Sequence, residues 1–218
     1  MNAYFISGLA ADRRVFKHIV LPSRYKIIHL DWIMPLSKES LSTYALRLAQ
    51  GIDTTSPFIL VGLSMGGMMA SEIAKRLHPV LTVLISAVPV DSQLPTYFRW
   101  AHKLNLQKLL PVKWLKHASV VKRIFMPETP DDKAIIRQVI RDSDPEFIKW
   151  AIEAILTWKN EIKPAPLLHI HGSRDEVLPV RFTKPTHIIQ GGTHLMVMGR
   201  AAEINAILSS VLDGRLDT

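Results

Sequence analysis

The stretch Ser56–Met69, SPFILVGLSMGGMM, constrains the fold more than any other part of the chain. Phe58-Ile59-Leu60-Val61 is continuously apolar, the pattern of a strand buried on both faces rather than one alternating between core and water. Gly62-Leu63-Ser64-Met65-Gly66 follows, and then a helix-like pattern. Gly62-x-Ser64-x-Gly66 between a strand and a helix fits a nucleophile elbow, a strained turn that lifts a serine hydroxyl above a sheet edge. A Cβ at either glycine is expected to clash with the neighbouring strand or helix. The helix that follows directs its N-terminal N–H groups and the positive end of its dipole at the same spot.

A strand covered on both faces needs neighbours of the same kind. Strand-like runs are predicted at Asn2–Leu9, Tyr25–Leu30, Pro57–Gly62, Leu81–Val88, Pro166–Gly172 and Thr186–Gln190. Helical patterns lie between them. Asp12 can cap a short helix with Val15, Phe16 and Ile19 on one face. Ser37 or Ser40 caps a helix with Leu41, Tyr44, Ala45 and Leu48 as its apolar stripe, ended by Gly51. A helix over Met65–Leu77 stops at His78-Pro79. The last, near Arg200–Leu212, presents Ile204, Ile207, Leu208 and Val211, with Gly214 at its end. Alternating strands and helices imply an α/β fold with a parallel sheet covered on both faces. Residues 89–163 break the rhythm: they hold helical patterns around 97–110, 131–141 and 145–158 and no strand-like run. The expected division is a core of 1–88 and 164–218, with 89–163 as a helical insertion above the C-terminal edge of the sheet.

A chain of 218 residues, 48% hydrophobic, is long enough for one domain with a substantial core. It has no cysteine, which excludes a disulfide framework, a Cys-based zinc site and a thiol nucleophile, and suits a reducing compartment. No secretory leader is evident, and no apolar run approaches the roughly 18–20 residues of a membrane span, so a cytoplasmic protein is expected. The net charge of +8 is uneven. Between Ser92 and Met126 stand Arg99, Lys103, Lys108, Lys113, Lys116, Lys122 and Arg123, with no acidic residue. This face could be simply solvated, could attract a carboxylate or phosphate on a substrate, or could touch an anionic surface weakly. The third reading draws on Tyr97, Phe98, Trp100, Leu104, Trp114 and Leu115, which interleave with the charges. No nucleic-acid recognition motif accompanies them.

Serine is a poor nucleophile at neutral pH. It needs a base within hydrogen-bond reach, and the base needs an orienting carboxylate. In an open parallel sheet such groups converge from the carboxyl ends of strands. After the fifth strand comes His171-Gly172-Ser173-Arg174-Asp175-Glu176, and after the sixth Gly191-Gly192-Thr193-His194. Ser64, Asp175 and His194 thus stand in order at three strand ends. Asp91, after the fourth strand, is the alternative acid; Glu176 is expected to face solvent, and Asp12 to serve as a helix cap. Of the other histidines, His29, His169 and His171 suit packing or hydrogen-bonded core positions. His18 and His78 end helices, and His102, His117 and His187 stand in no motif. Met65 and Leu195 adjoin candidate site residues and are expected to line a pocket, whereas Met68 and Met69 are expected to pack in the core.

With GLSMGG at 62–67, HGSRDEVLP at 171–179 and GGTHLMV at 191–197, nearly the whole chain resembles the α/β-hydrolase superfamily. The resemblance implies Ser64 as nucleophile, Asp175 as acid and His194 as general base. It also implies an oxyanion hole from the backbone N–H of Met65 and of a residue in the loop after the first strand, here Leu9. It would set strands one and three side by side and make 89–163 a lid over a small-molecule substrate. No cofactor or metal is called for. Many members carry His-Gly at the end of the first of those strands; this chain has Ser7-Gly8. It starts at that strand, so a six-stranded, all-parallel sheet without the family's leading hairpin is expected. The function implied is a serine esterase working through an acyl-enzyme. A C–C lyase, an acyltransferase or a non-catalytic ligand-binding relative are the alternatives on the same scaffold.

Overall fold

A computed structural model describes residues 1–104 and 130–214. Six parallel strands, β1 (Asn2–Ile6), β2 (Lys26–Leu30), β3 (Phe58–Leu63), β4 (Leu81–Ile85), β5 (Leu167–Gly172) and β6 (His187–Ile189), form one sheet in the order β2-β1-β3-β4-β5-β6. Strands one and three are neighbours, with Ile6 opposite Gly62, as the resemblance implies. Both faces of the sheet are covered because successive side chains point opposite ways. Ala3 and Phe5 join Val61, Val83 and Ile170 on one face, while Tyr4 and Ile6 join Leu60 and Leu84 on the other.

The helices are α1 (Leu41–Leu48), α2 (Met65–Leu77), α3 (Thr96–Lys103), α4 (Pro130–Asp142), α5 (Pro145–Thr157), α6 (Met196–Gly199) and α7 (Ala201–Asp213). α1, α2 and α5 pack on the Tyr4 face; α4, α6 and α7 pack on the Phe5 face. The Ser40 side chain accepts from the Thr43 N–H and settles the cap of α1. Asp12 caps a 3-10 turn over Arg13–Phe16 and accepts from the Arg14 N–H. His78 closes α2 in the left-handed conformation at φ 48°. Three strands are shorter than their predicted runs by two residues or more. β1 stops at Ile6 rather than Leu9, because the chain turns at Leu9-Ala10, where Ala10 has φ 55°. β4 stops at Ile85 rather than Val88, because Ser86 has φ 47° and leaves the extended region. β6 spans only three residues before Gly191 turns the chain.

α3, α4 and α5 lie between β4 and β5 and are fastened to the core by polar contacts. Arg14 pairs with Asp142 at 2.8 Å and Lys17 with the buried Asp132 at 3.0 Å, fixing α4 to the turn after β1. The buried carboxylate of Glu72 on α2 accepts from Trp158 Nε1 at 2.8 Å and from Ser42 Oγ at 2.8 Å. Of the basic run, Lys103 is exposed beside Trp100. Lys108, Lys113, Lys116, Lys122 and Arg123 lie outside the described residues, as do Trp114, Leu115 and His117. Among the described residues no helix is long and apolar enough to cross a membrane.

Candidate active site

β3 ends at Leu63, and Ser64 follows at φ 51°, ψ −118°, a backbone conformation that side chains rarely adopt. Two close approaches hold it there. A Cβ on Gly62 would collide with the backbone of Gly66 and Gly67, and one on Gly66 with the carbonyls of Ile6 and Ser7 on the β1 side. The glycines therefore let strand and helix approach at a distance no other residue allows. The Ser64 carbonyl accepts the first helical bonds, from Gly67 N–H at 2.9 Å and Met68 N–H at 3.4 Å. Its side chain makes no helix cap, so the hydroxyl is left for another partner.

That partner is His194. Ser64 Oγ lies 2.9 Å from His194 Nε2, and His194 Nδ1 lies 2.8 Å from Asp175 Oδ2. A carboxylate only accepts, so Nδ1 carries the proton and Nε2 turns its lone pair to the serine. The loop holding His194 is tied to the end of β5. Ser173 N–H donates to the Ile189 carbonyl at 3.0 Å, Arg174 N–H to the Gly192 carbonyl at 2.9 Å, and Gly191 N–H to Ser173 Oγ at 2.8 Å.

Asp175 is buried, and each of its oxygens is occupied. Oδ1 accepts from the Val177 N–H at 2.9 Å and the Leu178 N–H at 2.8 Å. Oδ2 faces His194 Nδ1 at 2.8 Å and His171 Nε2 at 3.3 Å. Burial by itself pushes the carboxyl pKa up. The charge of His194 and the hydrogen bonds from His171 and His194 outweigh it and hold the carboxyl well below the usual range. The alternative acid, Asp91, pairs instead with Lys159 at 3.3 Å. Glu176 is exposed, as expected.

The loop after β1 borders the serine. A Cβ on Gly8 would stand 3.3 Å from Ser64 Cβ. Ser7 Oγ donates to the Ala11 carbonyl at 2.9 Å, and Trp32 Nε1 donates to the same carbonyl at 2.9 Å. The indole, absent from the sequence reading, thus shares the bracing of the loop with the small hydroxyl. Its signal was available: an indole N–H at a strand end seeks an acceptor when buried. Among the described residues, no acceptor is found for the N–H of Leu9 or of Met65.

Ser64 and His194 open into a cavity of about 320 Å³ that Leu9, Met65 and Leu195 help to line. Its far walls come from Phe98, Ile140 and Ile152 of α3, α4 and α5. Met68 packs in the core, as expected, and also lines the cavity, because the first turn of α2 rises at the cavity floor. Met69 packs against the sheet as expected.

The model for "Alpha/beta hydrolase family" matches residues 5–207. A pimeloyl-[acyl-carrier protein] methyl ester esterase of Neisseria meningitidis serogroup A is 25% identical, over 92% of this chain and 70% of its own length. A thermophilic esterase from Thermogutta terrifontis superposes with a TM-score of 0.75 at 16% identity, covering 98% of this chain and 90% of that one. An enol-lactonase from Burkholderia xenovorans superposes with a TM-score of 0.70 at 16% identity, covering 97% and 90%. The sheet order, the turn at Ser64 and the match over most of its length place the chain in the α/β-hydrolase family.

Proposed function

We propose that this protein is a serine hydrolase that cleaves carboxylic esters through an acyl-enzyme. Ser64 Oγ attacks the ester carbonyl while His194 Nε2 accepts the hydroxyl proton and then delivers it to the departing alcohol. Asp175 holds the Nδ1–H form of His194 and stabilises the imidazolium. The Leu9 and Met65 N–H groups receive the oxyanion, each such donor being worth about 2.7–4 kcal/mol in the transition state. Water, deprotonated by the same imidazole, then releases the acid and restores Ser64.

The observation that carries this reading is the unbroken chain of hydrogen bonds from Asp175 through His194 to Ser64, open at the serine end to an apolar cavity. At about 30 Å³ per methylene-sized group, roughly that of a liquid water, the cavity of 320 Å³ has room for on the order of ten such groups. An ester of a medium-length acyl chain fits it, and the Neisseria relative is named for a methyl ester. In this reading α3–α5 belong to a lid that selects the acyl chain. A cytoplasmic location belongs to the same proposal.

The test is Ser64→Ala on p-nitrophenyl butyrate, with a fluorophosphonate probe alongside. The variant should lose at least about 10³-fold in kcat and all labelling. Hydrolysis at the parent rate by the variant would refute the assignment.

A further inference from the structure

We infer that His171 is a positioning residue for the catalytic acid, clamping the Asp175–Leu178 turn so that Asp175 Oδ2 stays aimed at His194. The inference rests on the acyl-enzyme reading of the site. The His171 side chain is completely buried, and its Nε2 lies 2.7 Å from the Leu178 carbonyl and 3.3 Å from Asp175 Oδ2. Both groups are acceptors, so Nε2 carries a hydrogen. The carbonyl takes the shorter, direct bond and the carboxylate the longer contact.

Leu178 is thereby held at both ends, its carbonyl by His171 and its N–H by Asp175 Oδ1 at 2.8 Å. Imidazole, turn and carboxylate close one ring of contacts. The carboxylate cannot rotate without breaking a bond to Val177 or Leu178. The other nitrogen of His171, Nδ1, is buried with no hydrogen-bond partner among the described residues. A phenyl ring of nearly the same shape would avoid that cost. Packing alone therefore does not account for the imidazole, and the Nε2 contacts do.

Titratable and charged groups surround this cluster from several elements. His169 on β5 meets the His171 ring edge to face at 5.5 Å. The Tyr97 hydroxyl of α3 donates to the Val177 carbonyl at 2.9 Å beside Asp175, with Arg174, Glu176 and Arg181 around the same opening. His194 lies on the remaining side, and the charge of Lys163 acts on His169, which also meets the backbone of Lys184.

The test uses the full chain carrying His171→Phe, His171→Gln or Ser64→Ala, assayed on p-nitrophenyl butyrate from pH 5 to 9. His171→Phe should lower kcat on the order of ten- to a hundredfold with KM nearly unchanged. Removing a donor from Oδ2 strengthens its hold on the protonated imidazole. The acid limb of kcat/KM should therefore move up by about half a pH unit or more. His171→Gln, which offers an N–H at similar reach, should recover much of both. A folded His171→Phe with parental kcat and an unmoved limb would overturn the inference, whatever its stability. Should His171→Phe fail to fold, long-range ¹⁵N–¹H spectra of the parent decide: Nε2–H upholds the clamp and Nδ1–H overturns it. If Ser64→Ala keeps parental activity, the reading of the site fails and the inference with it. If Ser64→Ala is inactive while His171→Phe is unaffected, the inference alone fails.

Discussion

Ser64 sits where a Cβ is unwelcome, and two substitutions separate what that costs from what the hydroxyl contributes. A non-glycine residue held at φ 51°, ψ −118° stores about 1–3 kcal/mol of backbone strain. Ser64→Ala keeps the Cβ and the strain, and loses only the 2.9 Å bond to His194, worth about 0.5–1.5 kcal/mol. Ser64→Gly loses the same bond but releases the strain. Against that release stands the extra freedom of glycine in the unfolded chain, about 0.5–1 kcal/mol. The glycine variant should therefore be the more stable of the two by about 1 kcal/mol, and by no more than about 2.5. For a chain of this size, 1 kcal/mol corresponds to about 2–4 °C in Tm. Urea titration by circular dichroism and a thermal scan of both variants, each inactive, give the difference directly. If Ser64→Gly proves clearly less stable than Ser64→Ala, the turn holds no strain at the serine and the argument collapses.

Four further outcomes are expected. Across p-nitrophenyl esters from acetate to octanoate, kcat/KM should rise about three- to fourfold per methylene, following about 0.8 kcal/mol of burial each, until the cavity is full; a flat series would detach the cavity from the acyl chain. Asp175→Asn should lower kcat by about 10³–10⁴-fold with the fold intact, since an amide can donate to His194 Nδ1 and so favour the wrong tautomer. Burial, then the neighbouring His171, lowers the pKa of His169 to about 4 from 6.5. A lowered folded value means stability fully present above pH 6.5 and lost as the pH falls towards 4. The loss is about 3 kcal/mol, so urea midpoints of the parent should fall more steeply over that window than those of His169→Gln. Glu72→Ala should destabilise the protein by about 1–3 kcal/mol, because it leaves the buried indole N–H of Trp158 without its acceptor, while the partly exposed Lys75 keeps Asn160. Ester kinetics of its folded fraction should change little.

The sheet was legible because its strands are short apolar runs at regular intervals, and a doubly covered strand has few other readings. Ser64, Asp175 and His194 were legible for a related reason: each stands just beyond such a run, where an open sheet gathers its ligands. Strand lengths were not, because hydrophobicity continues through Ala87 and Val88 while the backbone has already turned at Ser86. The Leu178 carbonyl is what makes His171 more than a core histidine, and a carbonyl leaves no mark in a sequence. Trp32 likewise reaches the Ala11 carbonyl across 21 positions of chain. Met68 and Met69 were placed in the core, and both are buried there; that Met68 also reaches the cavity left no mark in the sequence.

The bracing around Ser64 and the walls of the cavity come from different parts of the chain. Gly62 and Gly66 bring the backbones of β1, β3 and α2 together around Ser64, whereas Phe98, Ile140 and Ile152 belong to helices that carry none of the three side chains proposed for proton transfer. Under the proposed function, selectivity and reactivity are thereby separable. Enlarging or shrinking these three side chains should recast the range of acids released while the rate on the best-fitting ester stays put, so the inserted helices are where a designer would begin.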